Sequence, residues 1–312
     1  MKGYLKTWIR GTYDLQNLRI MTGSRIVANF KTKLGQEPGD TEKNLEREAK
    51  NILKTLRASY AKLTDGLIKF PKFSTFTGDN IISNYTELGM ISHYLNLEKE
   101  EKEHFSKLKF VLQDYAVWNE FLEPTKGIGP ALGGVIIAEI DITKAKHPSS
   151  LWRYAGLDVA EDGLGRSRKK HHLVDTEYTD KNGEIKMKKG ITYNPFLKSK
   201  LIGVGAGSLL KAANEDYAPI YYDYKERLEH HKKYKDTTKL HRHNMALRYM
   251  IKMFLIDLYT AWRKLENLTV SKPYSEAKLD MKHGTTKRVS KPVDEKTTKA
   301  PKKVKKATKK KK

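Results

Sequence analysis

The sequence predicts a mainly α-helical protein with one small β-hairpin and a disordered basic tail, on three observations. Apolar residues recur at three- and four-residue steps, most clearly at Leu45, Ala49, Ile52, Leu53, Leu56, Tyr60 and Leu63, with Lys, Arg and Glu between them. Short-range alternation is confined to residues 174–187, around the turn Asp180-Lys181-Asn182-Gly183. Residues 282–312 hold fourteen Lys or Arg, two acids and no large aromatic side chain, too little apolar surface to fold.

Taken in order, a first helix is predicted over 15–30, weakened by Gly23. A second spans 42–63, with Thr41 as its N-cap. A third fits 82–95. A fourth begins near Glu98, whose acids suit a helix N-terminus, and passes Phe110. These stripes read as core packing, with a partner-helix groove as the alternative. The apolar run 125–140 (TKGIGPALGGVIIAEI) follows, then 151–157 (LWRYAGL) and a polar, basic stretch to His172. After the hairpin, helix resumes over 194–213, then over 217–231. The most apolar helix is 241–265, with Met245, Tyr249, Phe254, Leu255, Leu258 and Trp262. No internal repeat is visible. The expected organisation is a helical domain at 1–121, a second domain at 122–281, and the tail at 282–312.

The 312 residues carry a formal net charge of +24, and the tail alone supplies +12. Such a balance calls for a polyanion, because each phosphate neutralised by Lys or Arg releases condensed counterions. A membrane is not expected: there is no long apolar run, and no basic helix carries a bulky apolar face. Residues 1–10 lack the apolar core of a signal peptide, so a cytoplasmic location is predicted, associated with a nucleoid or a phage. The chain has no Cys, which excludes disulfide and thiolate chemistry.

Three segments carry candidate chemistry. Gly127-Ile128-Gly129-Pro130 opens an apolar helix and has the form of a helix-hairpin-helix turn. Glycine permits close backbone approach, and amides at a helix start converge where the dipole favours an anion. A phosphate contact there reads no base. The alternative is a Gly-rich helix start that packs closely. Residues 165–172 (GRSRKKHH) place Arg166, Arg168, Lys169 and Lys170 in a loop, read as phosphate-contacting or else as merely solvated. In the tail, Lys302, Lys303, Lys305 and Lys306 are expected along DNA phosphate; the alternative is a solubilising extension. His230, His231, His241 and His243 read as surface or DNA-facing rather than metal ligands. Asp158, Glu161 and Asp162 are a weak Mg²⁺ set, because carboxylate ligands usually come from separate elements.

In this order, Gly127-Ile128-Gly129-Pro130, Ala138-Glu139-Ile140, LWRYAGL, a basic loop and a helix rich in Leu, Lys and Ala resemble one family. It is the C-terminal domain of the IS-one-ten (IS-one-sixteen) group of insertion-sequence transposases, matched over roughly 122–213. The resemblance implies a DNA-binding scaffold, a phage or mobile-element origin, and a part in transposition or recombination. Two departures bear on activity. That family's N-terminal half is an RNase-H-like domain whose acids bind metal, whereas the start of this chain reads as helices. The family's nucleophilic serine, in a Ser-Gly pair beyond Ala155-Gly156-Leu157, falls on Leu164-Gly165 here.

Ser167, three residues on, is the remaining candidate hydroxyl. It is read as a nucleophile or, alternatively, as a phosphate-contacting or solvated serine. Its neighbours Arg166 and Arg168 cannot accept its proton, so the sequence predicts binding without strong catalysis. No cofactor is expected, and Mg²⁺ only if the chain is active. The expected partner is DNA; a guide RNA and a homo-oligomer are left open. Alternatives are an active serine recombinase using Ser167, and a nucleoid-type or phage DNA-packaging protein.

Overall fold

A computed structural model of the chain describes residues 2–34, 42–67 and 69–272. The cap expected at Thr41 and the tail residues 282–312, with Lys302, Lys303, Lys305 and Lys306, lie outside them. The fold is mainly helical, with one small antiparallel hairpin among the described residues.

Helix α1 (Lys2–Leu34) starts well before the predicted Leu15, because Leu5, Ile9 and Tyr13 extend the apolar stripe and are buried. Gly23 does not break it. Helix α2 (Glu42–Thr64) falls where the periodicity placed it. Helix α3 (Tyr85–Leu112) is one helix where two were predicted. Leu97 and Glu101 stay buried across the expected gap, so the buried stripe never lapses. Asn84 starts it, its side chain accepting the Glu87 amide at 2.9 Å.

Two apolar clusters hold these helices. Ile26, Val27 and Phe30 of α1 meet Ile52 and Leu56 of α2 and Leu88, Ile91 and Tyr94 of α3. Leu5, Ile9 and Tyr13, from the other end of α1, meet Leu108 and Leu112 from the other end of α3 in a larger cluster. The two long helices are therefore antiparallel. That larger cluster draws residues from both sides of position 121.

Its remaining members come from later elements. A π-helical turn Trp118–Leu122 leads into α4 (Pro130–Glu139), whose residues from Leu132 onward are all buried. Helix α5 (Pro148–Tyr154) follows. The predicted hairpin is β1 (Val174–Thr179) against β2 (Ile185–Gly190), in register from Val174 opposite Gly190 to Thr179 opposite Ile185. Asp180 shapes its turn by accepting the Asn182 and Glu184 amides at 2.8 and 3.1 Å. Both strands are exposed almost throughout. The helix predicted over 194–213 is α6 (Pro195–Ser199), a π-helical stretch Lys200–Gly205 and α7 (Ala206–Lys211). Helices α8 (Ala218–His230) and α9 (Lys239–Leu265) complete the fold, and α9 buries Met250, Phe254, Leu258, Tyr259 and Trp262.

One buried carboxylate ties three elements together. Glu139 at the end of α4 has a fully buried side chain. Its Oε1 accepts from Arg10 Nε of α1 at 2.7 Å, and its Oε2 from Asn194 Nδ2 at 2.6 Å. The same Asn194 caps α6, accepting the Leu197 amide at 3.0 Å.

Candidate nucleic-acid interface

The predicted helix-hairpin-helix turn divides into residues with different duties. Gly127 sits at φ +100, and a Cβ there would lie 2.9 Å from the Ser208 carbonyl oxygen of α7. Close packing thus requires this glycine. Ile128 is buried in the larger core and anchors the turn from inside. Gly129 is the exposed N-cap of α4, at φ −93, with open space where a side chain would go. No side chain caps that helix, so an anion can approach its first amides. Asn214 fixes the turn from the far side, its Nδ2 donating to the Lys126 carbonyl at 2.8 Å.

A prediction follows from this division. Gly127→Ala lowers stability by about 1–3 kcal/mol in urea denaturation, through a left-handed backbone angle and contact with backbone that cannot yield. Gly129→Ser, a favoured cap in an allowed conformation, leaves stability unchanged or slightly higher. Equal losses from both would show the turn to be packing throughout.

The loop after α5 is built around two carboxylates. Asp158 Oδ2 accepts from Arg166 Nε at 3.1 Å and Nη2 at 2.8 Å. The Ala160 amide donates to the Leu164 carbonyl at 2.8 Å, closing a tight excursion. Asp162 is the second centre. Its Oδ1 accepts the Leu164 amide at 2.9 Å, and its Oδ2 lies 3.0 Å from His171 Nε2 and 2.9 Å from His172 Nε2. The Leu164 amide and the His172 ring hold its pKa down, to about 2.

Buried His172 then reaches Ser167. The Ser167 amide donates to His172 Nδ1 at 3.0 Å, and Ser167 Oγ is 2.8 Å from the same nitrogen. A backbone N–H can only donate, so Nδ1 is an acceptor and the ring proton sits on Nε2, facing Asp162. The Ser167 hydroxyl therefore donates to Nδ1. The outcome is a chain, Ser167–His172–Asp162, in which His172 Nδ1 is the proton acceptor that Arg166 and Arg168 cannot be.

This tautomer also weighs on metal binding. Among the described residues, the set of three potential ligands is Asp162, His171 and His172, whose ligand atoms lie within 4.8 Å of one another. With its proton on Nε2, His172 has no lone pair there for an ion, so these residues fit a metal poorly. Two of the histidines singled out later in the chain are engaged separately: His243 Nδ1 with Tyr221 Oη at 2.6 Å, and His230 Nδ1 with the Glu226 carbonyl at 3.0 Å.

Of the predicted loop cations, Arg168, Lys169 and Lys170 are exposed, and none forms an ion pair with a described residue. Arg166 is different: it is half-buried and held by Asp158. Its carbonyl accepts from Lys198 Nζ of α6 at 2.6 Å and from Arg248 Nη2 of α9 at 3.2 Å. Lys198 and Arg248 were not singled out from the sequence. They lie far along the chain, and on a helix each reads as an ordinary polar position. His172 was legible in principle, since Asp162, Ser167 and His172 stand five residues apart in turn.

The chain matches no family model, no curated protein and no solved structure. No described helix is long and apolar enough to cross a membrane.

Proposed function

We propose that the chain binds DNA through the phosphate backbone, as a relative of insertion-sequence transposases acting in transposition or recombination. One observation carries the binding: Arg168, Lys169 and Lys170 stand exposed and without carboxylate partners among the described residues, on a loop braced by Asp162 and His172. A braced loop loses little entropy when its cations meet phosphate. The open N-terminus of α4 at Gly129 offers a second anion contact. The kinship with transposases rests on the order of motifs over 122–213 and belongs to the same proposal. The test is fluorescence anisotropy with duplexes of unrelated sequence, before and after neutralising Arg168, Lys169 and Lys170 together. Similar affinities for all duplexes, weakened alike by the substitutions, support backbone binding. Unchanged affinity would refute binding through this loop.

A second reading is favoured by the 2.8 Å approach of Ser167 Oγ to His172 Nδ1. In it, Oγ attacks the phosphorus of a phosphodiester as its proton passes to Nδ1, one bridging P–O bond breaks, and the imidazolium returns that proton to the departing strand-end oxygen. Asp162 stabilises the imidazolium so formed. The expected result is a protein–DNA adduct that survives denaturation, with or without Mg²⁺, and that is absent from Ser167→Ala and His172→Gln while both still bind DNA. Binding with no adduct from the unaltered chain leaves the first reading alone.

A further inference from the structure

We infer that Lys198, Arg248 and Lys252 form a half-buried site for a phosphomonoester dianion, such as the terminal phosphate of a DNA strand, beside the Arg166–Ser167 peptide. In naming a strand end, the inference rests on the DNA-binding reading; the site itself does not.

Two of the cations converge on one atom. Lys198 Nζ and Arg248 Nη2 both donate to the Arg166 carbonyl oxygen, at 2.6 and 3.2 Å. Gly165 makes room for this: a Cβ there would fall 1.4 Å from Arg248 Nη1. Lys252 is one helical turn further along α9, with its ammonium 5.3 Å from the Trp152 ring centroid. Lys198 lies likewise over the Tyr193 ring, at 4.4 Å. Aromatic faces attract cations but neutralise no charge.

The charge around them does not balance. Asp158 is the carboxylate that acts on Lys198, Arg248 and Lys252; its Oδ2 is held by Arg166 and its buried Oδ1 has no hydrogen-bond partner among the described residues, so one negative charge faces these three cations and Arg166. Arg166 and Arg168 add like charge next to Lys198. Burial, and then Arg248, push Lys198 down to about 8; burial lowers Arg248 and Lys252 as well. Half-buried cations that repel one another are costly to hold. An anion supplied from outside removes both the repulsion and the lost hydration.

Half-burial selects the kind of anion. All three side chains are half-buried, whereas Arg168, Lys169 and Lys170 stand out in solvent. A mid-strand phosphodiester, flanked by sugars on both sides and singly charged, suits the exposed set. A terminal phosphate is doubly charged and free on one side, so it can enter further and match more cations. The carbonyl that Lys198 and Arg248 share belongs to the peptide whose other side presents Ser167 to His172.

The test uses the full chain and three variants, Lys198→Met, Arg248→Met and Lys252→Met. A short single strand carrying a 5′-phosphate is compared with the same strand ending in a 5′-hydroxyl, and inorganic phosphate is titrated separately. The phosphorylated strand should bind the unaltered protein roughly tenfold or more tightly, the effect of one or two charge-assisted hydrogen bonds, and each variant should shrink that gap. Inorganic phosphate should move the Lys198 titration, followed by NMR at its side-chain carbons, upward from about 8. Lys252→Met should keep or raise the melting temperature without phosphate, since it removes a like charge.

The outcomes separate the two readings. Equal affinity for both strands with an upward shift of Lys198 assigns the site to free phosphate. A response to phosphate with no binding of either strand keeps the site and refutes the DNA reading. Equal affinity with no shift at Lys198 overturns the site, while binding of both strands leaves the DNA reading standing. Destabilisation by all three variants would show the cations to be structural and would likewise overturn it.

Discussion

Arg10→Met destabilises the protein by about 3–5 kcal/mol, more than Glu139→Gln does, although both break the same ion pair. The asymmetry comes from exposure. The Glu139 side chain is fully buried, whereas that of Arg10 is 41% exposed. Without Arg10, a carboxylate stays buried with Asn194 Nδ2 and, at 3.6 Å, the Lys6 ammonium. Lys6 keeps the loss toward the lower end of the range. Without the Glu139 charge, Arg10 turns to water and rests on the Phe196 ring, 3.8 Å from its guanidinium carbon. Urea denaturation of both single variants and the double variant measures this. The double variant should recover much of the Arg10→Met loss, because the stranded charge is gone. Strictly additive losses would mean that the pair contributes nothing as a pair.

Neutralising Arg168, Lys169 and Lys170 together lowers DNA affinity by roughly two to three orders of magnitude at about 0.1 M salt. Each phosphate contact contributes about 0.9 to the slope of log affinity against log salt, so three contribute about 2.7. Lines that differ by that slope and converge near 1 M are that far apart at about 0.1 M. Arg166→Gln is the contrasting variant. Its guanidinium is committed to Asp158, so its loss should loosen the loop and change the slope little. Deleting 282–312 should flatten the slope further, in proportion to the phosphates the tail engages, and should leave folding unaffected. A triple variant with the original slope would place the contacts elsewhere.

The helices were legible because each carries its own record of burial. In α2, Ile52 and Leu56 repeat at a helical period, and burying that face takes no knowledge of the partner. The hairpin was legible for a similar local reason: Asp180 and Gly183 specify a turn between alternating residues. The division at 95–98 misled because charge was read as an end. Glu101 stays buried instead, accepting from Gln16 Nε2 at 2.8 Å and from Arg19 of α1. A side chain paired across helices counts as interior, and the pairing is invisible along the sequence.

The candidate site divides in the same way. The sequence by itself determined that the protein is mainly helical, that it carries a large positive charge, and that Arg168, Lys169 and Lys170 occupy a loop leading into the hairpin, because periodicity, charge and turn chemistry act over a few residues. Tertiary structure alone decided which cations remain available. Arg166 looks like its neighbours in the sequence, yet Asp158 holds it. Lys198, Arg248 and Lys252 look like solvated helix residues, yet α6 and α9 bring Lys198 and Arg248 onto one carbonyl and leave all three half-buried. Ser167 had no base until the fold turned His172 back onto it. The physical reason is that desolvation and hydrogen-bond geometry depend on distances in space, and side chains far apart in the chain set those distances only once the core has closed.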